Sequence, residues 1–134
     1  MKNGPKNLKF KTMFKGKIKK FKFKNSLKFG LVGLKSLQNG TLNFQQIESA
    51  RKTIIKKTKR KVKIWIQPFL FLPVTKKPIG IRMGKGKGKF SHWITKISQG
   101  SLIFEVCGSN KKLLILSLLI CKSKLPIKTK ICLK

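Results

Sequence analysis

The residues best suited to chemistry lie in one run, Arg82-Met83-Gly84-Lys85-Gly86-Lys87-Gly88-Lys89. Alternating glycine and lysine lets a backbone come close to another backbone while each ammonium reaches a phosphate. The chemistry suggested is anion contact, although the spacing by itself fits a flexible solvated loop equally well. It is no nucleotide-binding loop, because neither GxxxxGK[ST] nor GxGxxG is met. Groups suited to catalysis are sparse. His92 is the only histidine and no aspartate exists to orient it, so a packed or RNA-contacting imidazole is the plainer reading. Glu48 and Glu105 are the only acids; a lone carboxylate such as Glu105 among lysines is expected in a structural ion pair, with no second acid nearby for general acid and base work. Cys107, Cys121 and Cys132 form no CxxC pair, which argues against a disulfide framework or a zinc site and leaves them as reduced, small apolar residues. The residues point to no enzyme, metal or cofactor.

The charge is the dominant property of the chain. Its 134 residues carry 34 Lys and Arg against 2 acids, a formal net charge of +32, with 40% hydrophobic residues. A free domain of this size usually keeps a net charge of roughly 2 to 8 in magnitude, so a polyanion must lie alongside the folded chain. Lysines run from Lys2 to Lys134. That spread favours threading through folded RNA over one amphipathic face on an anionic membrane. A free cationic protein that condenses nucleic acid or disrupts anionic membranes is the competing reading. The longest apolar run, Leu113 to Cys121 with Ser117 inside it, falls short of the ~18 to 20 residues that cross a bilayer, so no membrane span is expected. The first thirty residues hold neither the apolar core of a secretory signal nor the Arg and Ser richness of an organelle presequence. Either the chain is made where it works or a presequence has been removed.

Elements that position these residues follow from periodicity. Residues 1–28 form a basic lead with Phe10, Phe14, Phe21 and Phe23 among lysines, expected as an arm that is disordered alone and ordered on RNA. Residues 29–134 form one domain of modest core. Gly30 and Gly33 punctuate short strands within Leu27 to Leu37, and Asn39-Gly40 signals a turn. Asn43 with Gln46 starts a helix whose Phe44, Ile47, Ala50, Ile54, Ile55 and Thr58 share an arc of about 140° at about 100° per residue. Glu48 is spaced to pair with Lys52. Arg51 falls inside the apolar arc, either as a snorkelling stem at the core edge, the commoner case, or as a buried phosphate contact. Val62, Ile64 and Ile66 alternate with Lys63, Trp65 and Gln67 as a half-buried strand, with Trp65 facing RNA or a second layer. Pro68, Pro73 and Pro78 are expected to break regular structure in a loop that carries Phe69 to Phe71 under the sheet, after which Ile79, Ile81 and Met83 alternate again. Phe90 to Ser98 and Leu102 to Val106 predict an antiparallel hairpin turned at Gln99-Gly100. Ser109 or Asn110 caps a helix to about Lys122, and Pro126 precedes a strand with Ile127, Thr129, Ile131 and Leu133 on one face. The class is α+β: one domain, a mixed, mainly antiparallel sheet, two helices and an extended basic N-terminal arm.

Read together, Lys9 to Gly16 (KFKTMFKG), Phe29 to Lys35 (FGLVGLK), Gly40 to Arg51 (GTLNFQQIESAR), Lys63 to Ile66 (KIWI), Lys77 to Gly88 (KPIGIRMGKGKG), Trp93 and Lys124 to Thr129 (KLPIKT) resemble, in order, the bacterial and organellar L-sixteen family of large-subunit ribosomal proteins. KIWI followed by RMGKGKG is the specific part. The resemblance implies an α+β fold packed on large-subunit rRNA near the elbow and acceptor stem of aminoacyl-site tRNA, with the Arg82 to Gly88 loop pointing toward the peptidyl transferase region. It supports tRNA positioning and late subunit maturation, with catalysis left to rRNA. The residues it marks for rRNA or tRNA contact are Lys9, Lys11, Lys15, Lys17, Arg51, Lys63, Trp65, Arg82, Lys85, Lys87, Lys89 and Lys128, with Gly84, Gly86 and Gly88 allowing close backbone approach. Leu113 to Cys121 departs from the family by being apolar nearly all round, which implies full burial or a neighbouring ribosomal protein as partner. Phe69 to Leu72 departs in the same direction and widens that contact surface. No homo-oligomer is implied. An excess of Lys over Arg, frequent Ile and Phe, one Ala and no Asp fit an A+T-rich organellar genome, although the absence of Tyr does not. The expected site of work is a mitochondrial ribosome, ahead of a plastid or bacterial one.

Overall fold

A computed structural model describes residues 4–5, 12–18, 26–84 and 86–134. The elements run β1 (Val32–Ser36), β2 (Gly40–Asn43), α1 (Phe44–Lys57), β3 (Lys63–Ile66), β4 (Leu72–Lys76), β5 (Lys89–Ile97), β6 (Leu102–Cys107), α2 (Lys111–Lys122) and β7 (Thr129–Leu133). The class is α+β with two helices, as the periodicity predicts. The strands divide into two antiparallel sheets, β3-β6-β1-β7 and β2-β5-β4.

Both helices begin where the sequence places their caps. Gln46 reaches back to accept the Asn43 backbone N–H at 2.9 Å, and Asn110 Oδ1 accepts the Leu113 N–H at 3.2 Å. Each bond satisfies a donor that a helix start leaves open. Ile47, Ala50 and Ile54 of α1 and Leu114, Leu118 and Cys121 of α2 join Val32, Leu34, Phe104 and Val106 of the four-stranded sheet in one core. The predicted α1 stripe is the face that packs, and Thr58 closes it, buried, with its hydroxyl donating to the Ile54 carbonyl at 2.9 Å.

Several expectations fail. The β5–β6 hairpin does not form: β5 pairs with β2 and β4, whereas β6 pairs with β1 and β3. Gln99-Gly100 is instead a crossing point between sheets. It lies beside the other crossing, β1 to β2, held there by Gln99 N–H on Asn39 Oδ1 at 2.7 Å and Gly100 N–H on the Ser36 carbonyl at 2.8 Å. The reason is burial: every residue from Leu102 to Val106 is buried, and a strand covered on both faces takes the central place in its sheet. Pro73 sits inside β4 rather than breaking it, tolerated because β4 is an edge strand that leaves one side of the ladder unpaired. Of Phe69 to Phe71 only Leu70 is buried, and both phenylalanines face solvent. Ile79, Ile81 and Met83 form no strand; Ile79 and Met83 are 98% and 100% exposed. Ile127, just before β7, and Thr129 within it are buried, but Leu133 at the far end of this edge strand is exposed. Leu113 to Cys121 is not fully buried: Leu116 and Leu119 are each 48% exposed.

Candidate nucleic-acid interface

Both acids are consumed inside the molecule. Glu105, 0% exposed, makes no ion pair among the described residues, where one was expected. Its Oε2 accepts three consecutive backbone N–H groups, from Lys28 at 3.1 Å, Phe29 at 2.9 Å and Gly30 at 2.8 Å, and its Oε1 accepts Gln67 Nε2 at 2.8 Å. Burial, the largest single influence, pushes this carboxyl up, but the Gly30 and Phe29 amides, the Gln67 amide and the Lys28 amide together hold it below the ordinary glutamate value. The carboxylate thus fastens the root of the N-terminal arm onto β6. Trp65 covers the same place, stacked on Phe29 with ring centroids 5.9 Å apart. Glu48 is bound by Arg51 rather than Lys52, through Nε to Oε2 at 2.8 Å and Nη2 to Oε1 at 2.5 Å. That Arg51 hydrogen bond is the main reason the Glu48 carboxyl lies below its ordinary range. Neither carboxylate is left over to neutralise the remaining lysines.

Beyond β4 the chain makes the basic loop. Gly84 and Gly86 adopt φ of +101° and +76° with open space where a Cβ would stand, so their glycines serve backbone conformation. Gly88 has a different reason. A Cβ there would lie 2.6 Å from the Lys76 carbonyl carbon and 2.7 Å from Lys77 N, so the close approach it permits is to the chain's own backbone. The Lys77 ammonium donates to the Gly84 carbonyl and ties the loop across its base. Arg82, Lys87 and Lys89 are exposed, and so are the apolar Ile79, Ile81 and Met83 among them.

The arm meets this loop. Lys87 Nζ stands 5.5 Å from the centre of the Phe14 ring, which is 94% exposed, and Gly4 lies against the Trp93 indole. The structure therefore brings Lys87 to the Phe14 ring, with exposed Lys15 and Lys17 following Phe14 in the chain. Lys63 and Trp65 lie on β3 at an edge of the other sheet, Arg51 is on α1, and exposed Lys128 precedes β7. Lys9, Lys11 and Lys85, like Phe10, Phe21 and Phe23, fall outside the described residues.

One cationic feature was not marked as a site from sequence. Arg51, Lys52, Lys56, Lys59 and Arg60 line, with Ile55, a groove of about 590 Å³ along the outer side of α1. The signal available was the spacing of cations at 52, 56 and 59–60, which reads as an ordinary solvated face until the end of the helix is seen. Cys121 is buried and its thiol is pushed up to about 12 by desolvation, and among the described residues no cluster of His, Cys, Asp or Glu could hold a metal ion. No helix among them is long and apolar enough to cross a membrane.

The chain is similar in sequence to known proteins along nearly its whole length. The chain is 42% identical over 125 residues to the large ribosomal subunit protein uL16 of Buchnera aphidicola subsp. Baizongia pistaciae, covering 93% of this chain and 92% of that one. It is 44% identical over 128 residues to the uL16 of Psychrobacter arcticus, covering 95% and 93%. The uL16 of Blochmanniella pennsylvanica is 42% identical over 125 residues, covering 93% of each. All three organisms are bacteria. The family described as Ribosomal protein L16p/L10e matches residues 2–132, nearly the full length, and the chain belongs to that family.

Proposed function

We propose that the protein is a structural constituent of the large ribosomal subunit that binds its rRNA and supports positioning of aminoacyl-site tRNA near the peptidyl transferase region. The observation that carries the reading is electrostatic: 34 cations face 2 acids, and both acids are committed, one to Arg51 and one to backbone amides. Such a surface is complementary to phosphate on many sides. Residues 1–28 act as the arm and residues 29–134 as the domain it is fixed to. Arg82, Lys85, Lys87 and Lys89, with Lys9, Lys11, Lys15 and Lys17 of the arm, make the main set of phosphate contacts. Lys63, Trp65, Arg51 and Lys128 add others. The exposed Leu116 and Leu119 on α2 meet a neighbouring ribosomal protein. The relatives named above are bacterial and give the expected mitochondrial compartment no support, so the place of work in this reading is the ribosome.

The test is sedimentation of the tagged protein in its native cells. It should travel with large subunits at moderate salt and leave them at high salt, and Arg82→Ala with Lys87→Ala should weaken that association while the fold is kept. A protein that stays in the free fraction, or binds anionic vesicles as tightly as rRNA at equal salt, would sink the ribosomal reading.

A further inference from the structure

Helix α1 ends in a turn that normally calls for glycine and has none. Arg60 N–H donates to the Ile55 carbonyl at 3.1 Å and Lys59 N–H to the Lys56 carbonyl at 3.4 Å, the paired bonds of a Schellman cap. Lys59 and Arg60 both take left-handed backbone, with φ of 49° and 62°. L side chains avoid this region, and it is where glycine is favoured. The chain instead places two cations there in succession, and the reversal turns them alongside Arg51, Lys52 and Lys56 to complete the groove on α1.

Five cations line this groove, and Glu48 engages only one of them, through Nε and Nη2 of Arg51. The negative end of the helix dipole relieves the repulsion in part, but its reach is confined to the last turn, beyond which Arg51 and Lys52 lie. A solvated lysine face would need no strained backbone to hold it. Backbone strain that concentrates like charges marks a place where an anion completes the site. The lining offers one apolar residue, Ile55, too little for the uncharged centre that a protein interface requires.

We infer that the α1 groove is a second phosphate-binding surface that takes the sugar-phosphate backbone of a folded RNA segment, on a different element from the Arg82–Lys89 loop. The inference rests on the rRNA reading above. It is tested with the full-length chain and a transcript of the large-subunit rRNA, measuring affinity across a salt series for Lys59→Gly, for Lys56→Ala with Arg60→Ala, and for Arg82→Ala with Lys87→Ala. Each lost contact should lower the log-log salt slope by about 0.7 to 0.9, and the groove and loop losses should add. Lys59→Gly is the decisive variant. It relieves the left-handed strain, so its melting temperature should rise while its RNA affinity falls. A slope unchanged in Lys59→Gly and in the Lys56, Arg60 pair overturns the groove while the loop variants keep the rRNA reading alive. If the loop variants also leave the slope unchanged, the rRNA reading falls too. If a polyglutamate peptide displaces the transcript from the wild type at stoichiometric concentrations, the groove belongs to an acidic protein and the inference fails.

Discussion

Replacing Glu105 with glutamine tests how the arm is fastened, and the scarcity of acids makes the result legible. In most proteins the acid limb of stability sums over many carboxylates, but here Glu48 and Glu105 are the only acidic side chains. The folded Glu105 is held below the ordinary glutamate value, so over that window the native state binds fewer protons than the unfolded state. Its contribution is therefore fully present above about pH 4.3 and is lost as pH falls through the lower folded value, at up to about 1.4 kcal/mol per pH unit. Four hydrogen bonds end on this carboxylate. Bonds to a charged group contribute about 1.5 to 3 kcal/mol each, against about 0.5 to 1.5 for neutral ones. Glutamine can turn its oxygen to the three amides while Gln67 reverses its own amide, so the four bonds persist without charge assistance and one N–H of the new amide is left over. Because four bonds on one group are not independent, Glu105→Gln should cost about 2 kcal/mol at pH 7 and flatten the acid limb. Glu105→Ala leaves the Lys28, Phe29 and Gly30 N–H groups without their acceptor and should cost about 4 kcal/mol or more. The assay is urea unfolding followed by circular dichroism from pH 7 to pH 3 at fixed salt, with hydrogen exchange at Lys28 to Gly30. The half-buried, local Glu48–Arg51 pair contributes less, and Glu48→Gln is the control. A Glu105→Gln protein that keeps the wild-type acid limb and the wild-type exchange protection at Gly30 would refute the reasoning.

Neighbouring leucines on α2 should behave oppositely. Leu118→Ala, inside the core, should destabilise by about 2 to 5 kcal/mol, whereas exposed Leu119→Ala should change stability by no more than about 0.5 kcal/mol in denaturant titrations. Asn110→Ala removes the α2 cap and should cost about 1 kcal/mol in the same titration. Among the thiols, Cys121 is buried and its thiol is pushed up to about 12, so at pH 8 Cys107 and Cys132 should react with an aromatic disulfide reagent first and Cys121 only on unfolding.

The sequence by itself determined the properties that a few adjacent residues encode. Asn43 with Gln46 fixed where α1 starts, and Ser109 or Asn110 where α2 does to within one residue, because a cap is satisfied within one turn. The 3.6-residue spacing of Ile47, Ala50 and Ile54 chose the face of α1 that packs. Net charge needs no fold at all, and it alone demanded a polyanionic partner. Order along the chain was likewise enough for the family resemblance, because KIWI and RMGKGKG are contiguous. Only the tertiary structure decided which strands pair. Gln99-Gly100 has the local chemistry of a hairpin, yet β6 is buried on both faces and takes β1 and β3 as partners, a competition among distant segments that no local pattern records. The same holds for Glu105. Its partners lie 75 to 77 residues away where the arm joins the domain and 38 away at Gln67, and among so many lysines a sequence reading gives it an ion pair. Folding gave it backbone amides instead, because a buried carboxylate surrounded by inward-pointing N–H groups is satisfied without bringing an ammonium out of water.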